Sequence, residues 1–239
     1  MRNVTVIARR ELSSYFNSPI AYIVLVAFLL VAGWMFFGPF FLIGRAEMRS
    51  FFAPSLFSPS MLLVILLPAL TMRLVAEERK AKTIELLTTT PVTDTEVILG
   101  KFAGAFGLVL AGFAATLVYV VTVRLLGPLD LGTVFAGYLG LTLFAGALLA
   151  VGLLASTLTD NQIIAFIIGL LVGGALYFIY WLQFLMPAFL APLIEFVSVS
   201  SHLDNLARGV VDTRDVVYYL TLGGGSLFLA TLSLSRQHA

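Results

Sequence analysis

Six long stretches of apolar residues, without a charged side chain or a histidine in any of them, dominate this sequence. A helix needs about 20 apolar residues to cross the hydrocarbon core of a bilayer, and irregular backbone cannot cross it because its amides would lack partners. The pattern predicts an all-α integral membrane protein whose single transmembrane domain covers residues 1–239. The six predicted spans are approximately 20–43, 57–72, 102–123, 131–158, 163–186 and 216–234.

Composition narrows the functional classes. Of the 239 residues 60% are hydrophobic and 11% are charged, against about 25% charged residues in a soluble domain. The net charge of +1 gives no basic field for nucleic acid. With no cysteine and two distant histidines, the chain lacks the usual ligands of a metal site. It also lacks a GxxxxGK[ST] phosphate-binding loop, so we expect it to bind no nucleotide or other cofactor.

Lysine and arginine positions predict the orientation of the spans. If the amino terminus is cytoplasmic, the cytoplasmic segments contain nine of the 14 basic residues and the outer segments contain five. The positive-inside rule then places both termini in the cytoplasm. The 24-residue first run lacks a cleavage site and is interpreted as a retained helix. The nine residues are Arg2, Arg9, Arg10, Arg73, Arg79, Lys80, Lys82, Lys101 and Arg236.

An amphipathic helix is predicted ahead of the first span. Its apolar residues recur at helical spacing, with arginines mostly on the opposite face. The pattern favours a helix on the inner membrane surface, serving either as an interfacial anchor or as a contact for a partner protein. Glu11 lies at the edge of the apolar stripe, where a carboxylate needs a partner. The stripe consists of Val4, Ile7, Ala8, Leu12, Tyr15 and Phe16.

The densest charge in the chain lies between the second and third spans, in the sequence RLVAEERKAKTIELLTTTPVTDTEVILGK at 73–101. Glu78 and Lys82 are four residues apart, as in a helical ion pair. Pro91 predicts the end of that helix, and Thr93 and Glu96 have capping-box spacing for the next one. The loop is either a solvated connector or a docking helix whose movement would move two spans.

The strings EERKAKTIELLTTTP and VILGKFAG in this loop resemble the second-to-third-span loop of type 2 ABC transporter permeases. In that family the loop forms a cytoplasmic coupling helix seated in a cleft of a separate ATPase subunit. Lys82 departs from the pattern, because many relatives have glycine there. The resemblance implies that ATPase coupling involves Glu77, Glu78, Arg79, Thr83, Glu85, Leu86, Leu87 and Pro91.

Three further strings resemble the gliding-motility-associated and nitrous-oxide-reductase-associated members of that family. They are ELSSYFNSPIAYIV at 11–24, ASTLTDNQIIAF at 155–166 and SHLDNLARGVVDTRDVVYYL at 201–220. The resemblance implies a non-catalytic exporter subunit in the bacterial inner membrane. Its implied partners are ABC ATPase subunits that hold ATP and Mg, a second copy or a sister permease, the lipid bilayer and a periplasmic auxiliary protein.

Residues 187–215 begin apolar and end polar. The resemblance implies short re-entrant or interfacial helices on the outer side, whereas the pattern alone also fits a simple amphipathic hairpin. Ser200, Ser201 and His202 are adjacent in sequence, which does not favour a nucleophile–base pair. His202 and Asp204 are interpreted as surface polar groups.

Two other functions remain open at this stage. The chain could be a mechanical coupler that passes ATP-driven movement to periplasmic partners without transporting cargo. It could also be an ion-coupled carrier or channel, although the predicted spans contain none of the ionisable residues that mark ion pathways. Recurring glycines in the spans predict close packing of helices within one bundle.

Overall fold

Helices are the only regular elements in the parts of the chain that the structure describes. The structure is a computed structural model, and it describes residues 2–43, 47–81, 92–182 and 187–236. One short 3₁₀ turn covers Ala188–Leu190. The α-helices are α1 (Arg2–Phe16), α2 (Pro19–Ile43), α3 (Arg49–Phe52), α4 (Pro59–Thr71), α5 (Ala76–Lys80), α6 (Asp94–Leu126), α7 (Leu131–Thr157), α8 (Gln162–Leu182), α9 (Ala191–Val197), α10 (Val199–Ala207) and α11 (Thr213–Ser235).

Six segments of the described chain are long and apolar enough to cross a membrane. They lie in α2, in α4 together with α5, and in α6, α7, α8 and α11, which confirms the predicted all-α fold with six spans. One difference is at α6, which begins at Asp94 instead of 102 because Thr93 and Glu96 form the predicted capping box there. Thr93 accepts from the Glu96 amide at 3.3 Å, and Glu96 accepts from the Thr93 amide at 3.2 Å.

The central helix of the bundle is α7. Small residues on α7 and α8 let the neighbouring helices approach closely, as in other membrane bundles. A Cβ at Gly152 would lie 2.3 Å from the Thr71 hydroxyl of α4, and one at Gly169 of α8 would lie 3.2 Å from Pro68. These glycines therefore pack α4, α7 and α8 against one another within one chain, as predicted.

The amphipathic helix α1 lies along the first turns of α6. Gly100 and Gly104 of α6 have no side chain at the contact, and a Cβ on either would come within 2.6 Å of Ile7 or Glu11. Part of the predicted apolar stripe of α1 thus packs on a span of its own chain. This contact was not expected from the sequence, which indicated lipid or another protein as the partner of the stripe.

Short helices close the opposite end of the bundle, where α3, α9 and α10 lie. Tyr177 of α8 is buried there and donates to the Ser55 carbonyl at 3.0 Å. Helix α10 is buried along most of its length and packs against α3, α7, α8 and α11. The segment between the last two spans therefore contains short helices that pack against the bundle.

Candidate functional site

The short helix α5 carries the first three residues of the predicted coupling element, Glu77, Glu78 and Arg79. The other five, Thr83, Glu85, Leu86, Leu87 and Pro91, lie outside the described residues, as does Lys82. The described part of the predicted element is thus its beginning. The contacts of α5 with other helices determine which of them would move if the following loop moved.

Ser156, near the end of α7, holds the first turn of α5. The first amides of a helix have no partner within the helix. Here the Ser156 hydroxyl oxygen accepts from the Val75 amide at 3.2 Å and from the Ala76 amide at 3.1 Å. The same hydroxyl donates to the Met72 carbonyl at 3.0 Å, and Ser156 is fully buried. One serine therefore fastens the start of α5 to the central helix.

Lys101 of α6 joins three elements through a buried ion-pair cluster. Its ammonium group contacts the Glu78 carboxylate of α5 at 2.6 Å and the Glu11 carboxylate of α1 at 3.3 Å. The Lys101 side chain is only 3% exposed. A buried ammonium is stable only when it is paired and hydrogen-bonded. The pairing partner that Glu11 requires is thus Lys101.

Arg79 makes the third connection from α5. Its guanidinium donates to the Thr157 carbonyl at the end of α7 at 2.8 Å. It also pairs with the Asp160 carboxylate, just before α8, at 2.6 Å. Because Asp160 is largely exposed, this pair contributes little stability and mainly orients the Arg79 side chain.

Together these contacts connect α5 to α1, α6 and the α7–α8 turn. The start of α6 is also held by α1, because Asn3 donates to the Glu96 carboxylate at 3.1 Å. We call Glu11, Glu78, Arg79, Lys101 and Ser156 the α5 anchor. Of these, sequence reasoning identified Glu78 and Arg79 as coupling residues, and it recognised that Glu11 needs a partner. It did not single out Ser156 or Lys101, although both lie in strings that resemble the permease family.

A second polar cluster lies at the opposite end, and it corrects the interpretation of His202 as a surface group. His202 is 4% exposed, and its Nδ1 lies 2.6 Å from the Asp215 carboxylate of α11. The other ring nitrogen lies 3.1 Å from the Phe196 carbonyl, and Tyr218 stacks on the ring. The polar end of 201–215 folds back on itself, because Gly209 has a positive φ of 87° and reverses the chain.

Asp204 is also less exposed than expected. It pairs with Arg208, the residue that follows its helix, and contacts Arg49 at 3.9 Å. The serines beside His202 are used structurally, because Ser200 donates to the Tyr177 carbonyl at 2.8 Å. Within the described residues no three acidic, histidine or cysteine side chains form a group able to hold a metal ion.

The fold and these two clusters define a multi-pass helical membrane protein in which the α5 anchor connects a short charged helix to several spans. The family model described as "ABC-2 family transporter protein" matches residues 44–232. The chain therefore belongs to the ABC-2 transporter family and is a transmembrane subunit of an ABC transporter. Such subunits are generally non-catalytic, and family membership implies pairing with ABC ATPase subunits. No curated protein matches the chain significantly. The 11–24 string lies outside the matched residues.

Proposed function

We propose that this protein is the permease subunit of an ABC exporter in the bacterial inner membrane, driven by a separate ATPase docked on residues 77–91. Residues 1–239 form one permease domain, and both termini lie in the cytoplasm. A second copy or a sister permease completes the translocation path. ATP and Mg belong to the ATPase partner, and this chain binds no cofactor of its own.

The α5 anchor is the observation that carries this proposal. A force applied to the loop after Lys80 acts on α5 first. Lys101 would pass that force to α6, Glu11 to α1, and Ser156 to the central helix α7. Packed elements move together because protein interiors do not deform continuously. An anchor of this kind suits a helix that is pushed, whereas a solvated connector would not require a buried lysine.

Site-specific cross-linking tests the docking, and the absence of cysteine from the chain makes it direct. The permease carrying Leu87→Cys is expressed with its ABC ATPase and treated with a bifunctional maleimide. We expect a cross-linked permease–ATPase product. Val211→Cys, at the opposite end of the bundle, is the matched control and should give none.

Two arginine substitutions in the same loop test whether docking is needed for ATPase stimulation. Glu85→Arg combined with Leu86→Arg should abolish co-purification of the ATPase and its stimulation by the permease. The variant must retain the wild-type elution volume and thermal midpoint, so that misfolding is excluded. Retained ATPase binding and stimulation in this variant would refute docking on 77–91.

A mechanical coupler remains the second candidate, because α10 is packed against α3, α7, α8 and α11 at the opposite end. Movement of the spans would therefore displace α10, and a periplasmic partner bound there would sense it. Sealed vesicles containing the assembled complex separate the two functions. ATP-dependent movement of a cargo supports the exporter, whereas ATP hydrolysis without movement of any candidate cargo supports the coupler.

A further inference from the structure

An open cavity of about 570 Å³ lies at the α5 end of the bundle and is lined by residues of α1, α2, α4, α5 and α6. Its size is within the range of pockets that bind small molecules. The α5 anchor forms part of its wall through Glu11, Glu78 and Lys101. The rest of its lining includes charged side chains that form no ion pair within the described residues. These side chains determine which ligand the cavity could bind.

The cavity lining changes from polar to apolar in the same direction on three helices. On α6, Lys101 and Leu108 both line it and stand seven residues apart, or about 10 Å along the axis. Arg73, just after α4, and Leu66 within α4 have the same separation. Ser18 and Val24 repeat the gradient at the start of α2 over six residues. A ligand filling the cavity must therefore have one polar end and one apolar end.

The depth of this gradient matches a membrane leaflet. Its polar level lies at the beginning of the α2 span, because Ser18 and Ala21 line the cavity there. The headgroup region on each side of a bilayer is about 5–8 Å thick. A gradient of about 10 Å is therefore long enough to span a headgroup region and the first acyl carbons of one leaflet.

The charges at the polar level leave two guanidinium groups available. Lys101 is occupied by Glu11 and Glu78. Arg10 and Arg73 also line the cavity, and within the described chain neither has a carboxylate at salt-bridge distance. Glu77, the remaining charged lining residue, likewise has no cation at that distance among the described residues. Two cations and one carboxylate of the cavity lining therefore have no counter-ion at salt-bridge distance among the described residues.

Tyr15 lies between these groups on α1. Burial raises the pKa of Tyr15 well above its usual range, and the nearby Glu11 carboxylate adds to the rise while Arg73 opposes it. The phenol thus stays neutral and keeps its proton. It contributes a hydroxyl donor to the polar level of the cavity without adding a negative charge that would repel an anion.

We propose that the cavity binds one phospholipid of the adjoining leaflet, with its phosphate at Arg10 and Arg73 and an acyl chain along Leu66, Ala69 and Leu108. Guanidinium groups suit phosphate because they donate two parallel hydrogen bonds. Glu77 supplies an acceptor for a headgroup amine, so phosphatidylethanolamine is the matching probe. The proposal does not depend on ATPase docking, and its test needs no ATPase.

The test uses the full-length, delipidated protein in detergent. Dioleoylphosphatidylethanolamine, dioleoylglycerol and inorganic phosphate are added separately, and binding is followed by native mass spectrometry and by the thermal midpoint. Only the phospholipid should bind as a one-to-one complex and raise the midpoint. Arg10→Ala with Arg73→Ala should weaken its retention by at least about tenfold, because both charged hydrogen-bond donors to the phosphate are lost.

Matched variants separate the lipid site from a general charge effect. Arg9→Ala with Arg124→Ala removes the same charge from exposed positions that do not line the cavity, and it should bind like the wild type. Ala69→Phe fills the apolar end without changing charge and should also weaken binding. Equal stabilisation by dioleoylglycerol or by inorganic phosphate, or unchanged lipid retention in the double arginine variant, would overturn the proposal.

Discussion

The absence of a side chain at Gly104 determines how closely α1 approaches α6. A Cβ added there would lie 2.6 Å from the Glu11 Cβ and 3.0 Å from the Ala8 carbonyl oxygen, so the backbone of α1 would have to move. We therefore expect Gly104→Ala to destabilise the protein by about 1–3 kcal/mol through overpacking. The thermal midpoint in detergent measures the effect.

Gly224→Ala is the matched control, because a Cβ at Gly224 has no heavy atom within 4 Å. Alanine is favoured over glycine inside a helix by about 1 kcal/mol, so this variant should be as stable as the wild type or more stable. Equal midpoints for the two variants would show that α1 does not pack on α6 as described.

Burial makes the His202–Asp215 pair a second residue-scale determinant of stability. The Asp215 carboxylate and the Phe196 carbonyl face the two ring nitrogens, so each nitrogen has an oxygen acceptor within hydrogen-bond distance. Asp215→Ala leaves the buried histidine with no carboxylate, and we expect a loss of about 3 kcal/mol.

Two comparisons isolate the cost of the broken pair. Asp212→Ala removes only the exposed amino-terminal cap of α11, which accepts from the Arg214 amide at 2.9 Å, and should cost about 1 kcal/mol. Combining Asp215→Ala with His202→Phe should recover part of the loss. Chemical unfolding in detergent measures all four proteins, and a double variant less stable than Asp215→Ala alone would argue against a buried pair.

At the scale of elements, Lys101 determines whether α1, α5 and α6 behave as one unit. Lys101→Met leaves the Glu11 and Glu78 carboxylates without their shared cation, so they repel each other in a partly buried site. We expect α1 to separate from α6 and to exchange its amide hydrogens about tenfold faster. Hydrogen–deuterium exchange of the Arg2–Phe16 peptide measures this.

Neutralising the two carboxylates provides the rescue. Adding Glu11→Gln and Glu78→Gln to Lys101→Met removes the repulsion and should restore much of the protection of α1. Arg124→Met, at the exposed far end of α6, should leave exchange in α1 unchanged. Protection of α1 that is the same in wild type and Lys101→Met would mean that the ion pairs do not hold the three elements together.

Local sequence signals were sufficient for the helices and insufficient for their connections. Each of the six apolar runs, and the Thr93–Glu96 capping box, can be recognised within one short stretch of sequence. The Lys101–Glu78 pair joins residues 23 apart, and Ser156 holds an amide 80 residues away, so neither follows from a local pattern. His202 was misjudged for the same reason, because its burial depends on the reversal at Gly209.

At the scale of the whole molecule, the two ends of the bundle differ in chemistry. The α5 end contains the Lys101 cluster, the Arg79 pair and the cavity with Arg10 and Arg73. The other end is closed by α3, α9 and α10, and its charged contacts are the His202–Asp215 pair and the pairing of Asp204 with Arg208 and Arg49. Cationic side chains concentrate on the cytoplasmic side of membrane proteins, so the α5 end should face the cytoplasm.

Cysteine labelling in whole cells checks this orientation, since the natural chain contributes no background. Val211→Cys lies at an exposed position between α10 and α11, and Thr95→Cys lies at an exposed position at the start of α6. A membrane-impermeant maleimide should label Val211→Cys in intact cells, and Thr95→Cys only after the inner membrane is permeabilised. The reverse pattern would place α5 outside, where no ATPase could reach it, and would remove the basis for ATP-driven coupling through residues 77–91.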